Sequence, residues 1–285
     1  MRVDPTVQNV AERYQLGLPS TPIRGTTGDL LGRGSGSSLE FQEYREYLPG
    51  DDVRHLDWAA YARSDALMVR LYREEVSPIT EILVDMSRSM EIGGEAKPLI
   101  TRQLAALFAL LSAQCGGRPS LKFLNDRRPL ISGSLEQLEA LPSQPFDGNS
   151  NLSEIITDGQ LKLKRQSIRV VISDFLFPHD PAPLIRQLAA EASGLWLIQV
   201  LTDWEASPTP LGGRRLLDVE RGTETDLVID QVAIESYQQR LKHLQSGLVQ
   251  NSRRVQGTFV PIIAEHGLMS VCHTELARAG ILRLA

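Results

Sequence analysis

The sequence has little of what would place the protein in an oxidising compartment or on a polyanion. It contains only two cysteines in 285 residues, Cys115 and Cys272, and both stand in apolar surroundings, as buried thiols of a reducing compartment usually do. Basic residues are not in excess, because 30 Lys and Arg stand against 35 Asp and Glu and give a net charge of −5. Nucleic acid and anionic membranes are therefore disfavoured as general partners.

Other absences argue against a membrane span, a zinc site and an ATPase motor. No apolar run approaches the ~20 residues that span a bilayer, and residues 1–5 lack the pattern of a signal peptide, so we expect a cytoplasmic protein without membrane insertion. The histidines include no His-Glu-x-x-His pair and no cysteine partner, which argues against zinc. The chain has no Gly-x-x-x-x-Gly-Lys-Ser/Thr loop, so it cannot itself be a P-loop ATPase.

Beyond Pro78 the sequence alternates short apolar runs with segments of helical length. This alternation predicts a mainly parallel sheet with helices on both faces, which is a doubly wound α/β fold, and we expect the domain to span residues 79–285. The predicted strands are Thr80–Val84, Leu121–Leu124, Ile168–Ser173, Leu195–Leu201 and Phe259–Ala264, and the predicted helices are Ile100–Cys115, Leu152–Leu163 and Pro183–Ala192.

Residues 1–78 are predicted to form an amino-terminal extension. It would contain a short helix within residues 1–19, a glycine-rich arm over residues 22–38 and a β-rich part with a strand at Leu67–Tyr72. Near the other end, residues 215–230 are typical of a β-hairpin inserted before a long helix. The apolar face of that helix is predicted from Tyr237, Leu241, Leu244 and Leu248.

Three loops that follow or connect these strands are rich in oxygen-bearing side chains. They contain Asp85-x-Ser87-x-Ser89, Asp174, and Ser150 within Gly-Asn-Ser-Asn. Ligands of doubly wound sheets bind at the carboxyl ends of strands, and a few carboxylates with hydroxyls and water suit Mg²⁺ or Mn²⁺. The alternative is that these side chains only cap a following helix.

The three loops resemble the metal-ion-dependent adhesion site of von Willebrand factor A domains. The resemblance implies that Asp85, Ser87 and Ser89 contact the metal, that Ser150 joins them, and that Asp174 acts mostly through water. It also implies that a partner protein supplies a carboxylate to the metal. Two residues depart from the usual pattern: Ser150 stands where Thr is common, and Phe175 stands where Gly often follows the last Asp.

An upstream run is similar to the signature of the bacterial domain-of-unknown-function 58 family. It extends from Glu40 to Trp58 and continues through Ala62-Arg63 to Tyr72-Arg73-Glu74-Glu75. The resemblance implies a von Willebrand A-like fold and an association with MoxR-type AAA+ ATPases, for which such proteins serve as adaptors or co-chaperones. The signature residues of interest are Arg45, Pro49, Gly50, Asp51, Arg54, Asp57, Trp58, Arg63, Glu74 and Glu75.

The chemistry of this signature favours a turn followed by paired charges. In Leu48-Pro49-Gly50-Asp51 the proline fixes φ and the glycine is free to take positive φ. The charged residues that follow predict a buried network of ion pairs, with Trp58 as its apolar lid. Such a network would either fasten the extension to the main domain or form a docking surface for the ATPase.

The leading hypothesis is a metal-dependent protein-binding module that works with a MoxR-type ATPase. One alternative is a Mg²⁺-dependent hydrolase or phosphatase that uses Asp85, although no histidine accompanies the three loops to act as a base. A second alternative is a metal-free scaffold in which the oxygen atoms cap helices and bind water. We expect no enzymatic activity.

Overall fold

The structure is a computed structural model that describes residues 4–17, 39–74, 79–126, 132–133, 138, 144–157, 161–217 and 224–285. The predicted glycine-rich arm at 22–38 and Glu75 lie outside the described residues. In chain order the strands are β1 (Tyr14–Leu16), β2 (Leu39–Glu46), β3 (Met68–Glu74), β4 (Ile79–Asp85), β5 (Arg118–Leu124), β6 (Ser132–Gly133), β7 (Ile168–Ser173), β8 (Gly194–Leu201), β9 (Gly212–Leu217), β10 (Glu224–Ile229), β11 (Thr258–Ile263) and β12 (Leu282–Leu284).

One helix precedes the first strand, and the others lie between strands. The helices are α1 (Pro5–Ala11), α2 (Trp58–Ser64), α3 (Ala96–Gln114), α4 (Leu152–Thr157), α5 (Pro181–Ala189), α6 (Asp203–Ala206), α7 (Gln231–Arg254) and α8 (Gly267–Val271), with a π-helical turn at Cys272–Leu276 and short 3₁₀ turns at Val53–His55, Arg88–Glu91 and Ala264–His266. None of the described helices is long and apolar enough to cross a lipid bilayer. The cytoplasmic location stays a prediction.

The described residues fall into two compact units, one formed by residues 39–74 and the other by residues 4–17 and 79–285. The sequence analysis assigned all of residues 1–78 to one extension, whereas α1 and β1 pack within the larger unit. Val7 and Val10 of α1 are fully buried in its core, and β1 pairs antiparallel with β12.

The smaller unit is a two-stranded antiparallel ribbon whose strands are connected by a turn and a short helix. β2 pairs with β3, and the register shifts between Phe41 and Glu43. The strand predicted at Leu67–Tyr72 is therefore present as β3, and the signature turn and α2 lie between the two strands in sequence. Among the described residues, this part of the chain is β-rich, as the alternation of its sequence indicated.

The central sheet of the larger unit confirms the predicted α/β fold class. Its order is β6-β5-β4-β7-β8-β11, and all neighbours are parallel except β6, which runs antiparallel to β5. Numbered along the chain within this sheet, the order is 3-2-1-4-5-6, which is that of a doubly wound fold. The predicted hairpin is present as β9 and β10, before α7.

The two faces of the sheet are covered by different helices. Alternate side chains of β4 point to opposite faces, as strand geometry requires: Ile82 and Val84 join the core beneath α1, α3 and α8, while Leu83 joins the core beneath α4, α5 and α7. Burial on both faces explains why the central strands are almost continuously apolar. Cys272 lies in the first core, and Cys115 is only half-buried against it.

One predicted helix is too long. The pattern over Leu152–Leu163 predicts a single helix, but α4 ends at Thr157 and residues 161–164 are not helical. The backbone here serves a different purpose, because the carbonyl of Lys164 accepts a hydrogen bond from Arg169 Nη2 at 2.8 Å and its N–H donates to Glu81 Oε2 at 2.9 Å. Contacts between distant residues, which helical periodicity does not report, end the helix early.

Glu81 organises a buried charge cluster near the amino end of β4. Its carboxylate accepts hydrogen bonds from Lys122 Nζ, from Ser167 Oγ at 2.7 Å and from Arg169 Nε at 3.3 Å. Burial by itself would raise the pKa of Glu81, but the bonds from Lys122 and Ser167 outweigh it and hold that pKa below its ordinary value. The carboxylate is therefore ionised and links β4, β5 and β7.

We expect Glu81→Ala to destabilise the fold by roughly 3 to 5 kcal/mol, because it leaves two buried cations without their carboxylate. Urea unfolding monitored by circular dichroism measures the loss. The matched control is Glu191→Ala, which breaks the exposed ion pair with Arg165 and should change the unfolding midpoint little. Equal effects of the two substitutions would contradict a stabilising role for the Glu81 cluster.

Candidate functional site

The order of winding reverses at β4, whose neighbours in the sheet are β5 and β7. From β4 the chain continues through β5 and β6 to one edge of the sheet. From β7 it continues through β8 and β11 to the other edge. Ligands of open α/β sheets bind at the carboxyl ends of the strands at such a switch point. Asp85 ends β4 and Asp174 directly follows β7, so both predicted carboxylates lie there.

Asp85 is buried and held by two hydrogen bonds. Ser173 Oγ donates to its Oδ2 at 2.6 Å, and the backbone N–H of Ser87 donates to its Oδ1 at 3.0 Å. Burial, and after it the negative charge of Asp174, raises the pKa of Asp85 to about 6. The site therefore disfavours the ionised form of this carboxyl unless a further positive charge compensates it.

The two serines of the Asp85-x-Ser87-x-Ser89 loop have their hydroxyl groups side by side. Their Oγ atoms are 3.0 Å apart, and Ser87 is buried while Ser89 is half-buried. Ser87 stands at the start of the 3₁₀ turn Arg88–Glu91, but its side chain makes no capping hydrogen bond to that turn. The alternative that this loop only caps a helix is therefore not supported at Ser87.

The loop that carries Ser150 lies against the first loop. The N–H of Gly148 donates to the Met86 carbonyl at 3.0 Å, and the N–H of Arg88 donates to the Gly148 carbonyl at 3.1 Å, so Gly148 and Ser87 form an isolated parallel bridge. A Cβ atom at position 148 would lie 3.1 Å from the Met86 carbonyl oxygen, which explains the glycine. Ser150 is half-buried two residues beyond this bridge.

Phe175 departs from the glycine expected after the last Asp, and the structure explains how it fits. Its φ is +54°, the left-handed conformation that glycine adopts most easily. Its N–H donates to Ser173 Oγ at 3.0 Å, and its ring is fully buried in the core beneath α5 and α7. Burial of the aromatic ring, about 2 to 3 kcal/mol, offsets the strain of this conformation, about 1 to 2 kcal/mol.

Lys97 also reaches this end of the sheet, and the sequence analysis missed it. This side chain from the first turn of α3 is fully buried, and its Nζ donates to Asp174 Oδ2 at 2.9 Å and to the carbonyl of Ser89 at 3.0 Å. Its third partner is Glu205, with Nζ to Oε1 at 2.9 Å. Burial by itself would lower the pKa of Lys97, but Asp174 and then Glu205 outweigh it and raise that pKa, so the ammonium is charged.

Glu205 was likewise not singled out from the sequence. It belongs to a capping box at the start of α6: Thr202 Oγ1 accepts from the Glu205 N–H at 3.1 Å, and Glu205 Oε2 accepts from the Thr202 N–H at 2.8 Å. The pattern Thr-x-x-Glu directly after a buried strand is a recognisable signal for such a box. No comparable local signal identifies Lys97, because its partners come from other strands.

The donor atoms suit a hard divalent cation. The Ser87 and Ser89 hydroxyl groups are hydrogen-bonded to each other at 3.0 Å. Two oxygens bound to one octahedral Mg²⁺ at ~2.1 Å would lie about equally far apart, so both hydroxyl groups could bind the ion without moving apart. Asp85 would supply the carboxylate beside them. The described residues contain no group of three or more His, Cys, Asp or Glu able to hold a metal, so any site here depends on hydroxyl groups and water.

Asp57 is the organising side chain of the upstream signature. It is buried, its Oδ1 accepts from the N–H groups of Ala59 and Ala60 at the start of α2, and its Oδ2 accepts from Tyr44 OH at 2.8 Å and Arg70 Nε at 3.0 Å. The Ala60 N–H and then the Tyr44 hydroxyl lower its pKa to about 2. Asp57 therefore joins α2 to both strands of the ribbon.

The signature turn has the expected form. Arg45 Nη2 donates to Asp51 Oδ1 at 2.7 Å, and the Leu48 N–H donates to Asp51 Oδ2 at 2.9 Å, so the acid closes the turn. Gly50 takes a φ of +111°, and Pro49 precedes it. The positive φ at position 50 is the conformation for which a glycine is required.

The predicted network of ion pairs is buried only at Asp57, which pairs with Arg70, and Trp58 does not cover it. Arg54 forms an exposed pair with Asp52, Arg63 is exposed, and the side chain of Trp58 is 64% exposed, edge-to-face with Tyr61. The short helix α2 offers too little apolar surface to cover the ring. The side chain of Glu74, like all of Glu75, lies outside the described part of the chain.

Comparison with known proteins agrees with the upstream signature. The family model for "Protein of unknown function DUF58" matches residues 43–246, which include all three site loops. Two curated relatives, the uncharacterized proteins Rv1480 of Mycobacterium tuberculosis and Mb1516 of Mycobacterium bovis, are each 31% identical over 216 residues, which cover 71% of this chain and 68% of theirs.

Two solved structures are similar at low identity. One is an aerotolerance-related membrane protein from Bacteroides fragilis, 13% identical, with a TM-score of 0.34 over 63% of this chain and 98% of that chain. The other is the conserved hypothetical protein BatB from Bacteroides thetaiotaomicron, also 13% identical, with a TM-score of 0.41 over 71% and 98%. At these TM-scores the similarity supports no conclusion about function.

The raised pKa of Asp85 predicts how stability depends on pH without metal. The folded chain retains a proton on Asp85 between the ordinary pKa of 3.8 and about 6, so this residue's contribution to stability falls as pH rises through that window. We expect Asp85→Asn in EDTA to unfold at a higher temperature than the wild type at pH 7.5, with a smaller difference at pH 5. Differential scanning fluorimetry measures both.

The matched control is Asp203→Asn, which neutralises an exposed acid on the helix α6 that follows β8. The difference in unfolding temperature between the wild type and Asp203→Asn should be the same at pH 5 and at pH 7.5. A difference between wild type and Asp85→Asn that stays constant over this range would contradict the electrostatic account of Asp85.

Proposed function

The chain belongs to the DUF58 family of proteins of unknown function, and we propose that it is a metal-dependent protein-binding module. The carboxyl ends of β4 and β7 would hold Mg²⁺ or Mn²⁺ through Asp85, Ser87, Ser89 and Ser150, with Asp174 acting through water. The observation that carries the proposal is the grouping of a buried carboxylate, Asp85, with two hydroxyl groups that are hydrogen-bonded to each other at 3.0 Å, those of Ser87 and Ser89.

The role of the metal would be to bind a carboxylate of a partner protein. Mg²⁺ keeps open positions that water or an incoming oxygen can fill, and Ser89 and Ser150 are both half-buried rather than enclosed. Asp174 and Glu205 already have hydrogen-bond donors on their oxygen atoms. Their engagement supports binding over hydrolysis, because neither is placed as a free general base.

Exposed apolar side chains beside the site support a protein partner. Ile92 is 41% exposed and Trp204 is 45% exposed. Ile92 directly precedes Gly93, and Trp204 lies in α6 directly after Thr202 and Asp203. These two segments are neighbours, because a Cβ atom at Gly93 would lie 2.4 Å from Thr202 Cγ2. A charged centre beside exposed aromatic and aliphatic residues is typical of interface hot spots. We propose that the partner is a MoxR-type AAA+ ATPase, or its client, for which the chain acts as adaptor or co-chaperone.

The metal-free scaffold is the alternative that one observation favours. Lys97 already supplies a positive charge to Asp174 and Glu205, so part of the negative charge at this edge is compensated without a metal. Lys97 does not pair with Asp85, whose negative charge is therefore not compensated in this way. The effect of divalent cations on stability distinguishes the two functions.

Millimolar Mg²⁺ or Mn²⁺ is expected to raise the unfolding temperature of the wild type relative to EDTA, because a ligand bound only by the folded state stabilises it by roughly 2.7 kcal/mol at one hundred times its Kd. Ser87→Ala should abolish most of the shift, since it removes one hydroxyl ligand. Ser153→Ala, an exchange at a half-buried position in α4, is the matched control and should retain it. If neither metal raises the unfolding temperature of the wild type, the alternative of a metal-free scaffold is the correct one.

The partner is tested by pull-down of a purified MoxR-type ATPase from the same organism with the tagged chain. We expect the ATPase to be recovered in the presence of Mg²⁺. Recovery should be lost in EDTA, and also with the Asp85→Ala variant, because the partner carboxylate would bind through the metal. Trp204→Ala should weaken recovery, whereas Leu284→Ala, which truncates an exposed apolar residue on β12, should not. Recovery that is insensitive to EDTA and to Asp85→Ala would transfer docking to the Glu40–Glu75 signature.

A further inference from the structure

The buried charges at the proposed site are unequal in number. Asp85, Asp174 and Glu205 contribute three carboxylates, and Lys97 contributes one ammonium. When all are ionised, three negative charges and one positive charge leave two negative charges. A single divalent cation makes this cluster neutral, whereas a monovalent ion leaves a negative charge and a trivalent ion adds a positive one.

Lys97 is not available to any external ligand. An ammonium group has three N–H donors, and those of Lys97 reach three residues: the Ser89 carbonyl at 3.0 Å, Asp174 Oδ2 at 2.9 Å and Glu205, whose oxygen atoms lie at 2.9 and 3.2 Å. The side chain is also fully buried. Its effect on anything bound in front of it must be through its charge and through the position of Asp174.

Glu205 has the same character. Its Oε2 accepts from the Thr202 N–H at 2.8 Å and from Thr202 Oγ1 at 3.1 Å, and both carboxylate oxygens face Lys97. The carboxylate is therefore saturated and is not placed to bind a metal directly. Without it, Lys97 would neutralise Asp174 and leave only Asp85 charged.

We propose that Glu205 cancels the positive charge of Lys97, so that the proposed site keeps two negative units and prefers a divalent cation. This inference rests on the proposed metal site. Lys97 and Glu205 are positioning and specificity-determining residues here, since neither contacts the ion. Charges a few ångströms apart interact more strongly in a protein interior than in water, because the effective dielectric constant is lower there. A change of one charge unit should therefore alter affinity without altering any ligand.

The test is a set of three variants that change the charge of the cluster by known amounts. Glu205→Gln leaves one negative unit, Lys97→Met leaves three, and the double variant Lys97→Met/Glu205→Gln returns to two. Binding of Mg²⁺ and of Tb³⁺ alone is measured by calorimetry, with Tb³⁺ luminescence as a second readout, on the full chain without partner. Glu191→Gln, at an exposed position distant in the fold from these loops, controls for the net charge of the molecule.

We expect Glu205→Gln to weaken Mg²⁺ binding about tenfold or more, and the double variant to recover it to within about threefold of the wild type. Lys97→Met should shift preference toward Tb³⁺. If Lys97→Met does not fold, the comparison of Glu205→Gln with the double variant decides the question, because the double variant leaves no unpaired charge at either position.

Two results would overturn the inference while leaving the proposed function standing. One is Mg²⁺ affinity that is equal in the wild type, Glu205→Gln and the double variant. The other is a double variant that binds as weakly as Glu205→Gln, which would show that the ion pair acts through structure and not through charge. Failure of the wild type to bind Mg²⁺ would instead remove the proposed metal site and this inference together.

Discussion

The carboxyl edge of the sheet depends on how its buried carboxylates are neutralised. A parallel sheet brings the ends of β4, β7 and β8 together, and in this chain each end is followed by an acid: Asp85, Asp174 and Glu205. An isolated buried carboxylate is costly. Lys97 reduces that cost for Asp174 and Glu205, and the Ser173 hydroxyl reduces it for Asp85. Helix α3 must therefore be placed so that Lys97 reaches Asp174 and Glu205.

A second cluster on the same strand makes the contrast clear. Glu81, near the amino end of β4, has two buried cations around a single carboxylate, and its hydrogen bonds go to side chains and backbone of the surrounding loops. That cluster has no excess negative charge, which suits a purely structural role. The cluster at Asp85 keeps an excess of negative charge, and it is this excess that distinguishes it from the cluster at Glu81.

The upstream signature follows the same physical rule on a smaller scale. Asp57 is buried in a unit with little apolar core, and it is satisfied from three directions by α2, Tyr44 and Arg70. Asp57 joins α2 to both strands of the ribbon, while the neighbouring Trp58 remains exposed. The residues of the signature therefore divide into two sets. Asp57 is buried and holds the ribbon together, whereas Arg54 and Trp58 are exposed to solvent.

The sequence by itself determined the alternation of strands and helices and the loops that carry Asp85, Ser87, Ser150 and Asp174, because apolar periodicity and turn chemistry are local properties. Only the tertiary structure decided what stands behind those loops. Lys97 lies 77 residues from Asp174 and 108 from Glu205 along the chain, and the left-handed conformation of Phe175 is tolerated because its ring fills a distant core. Such pairings depend on which strands become neighbours, and no local pattern records that choice.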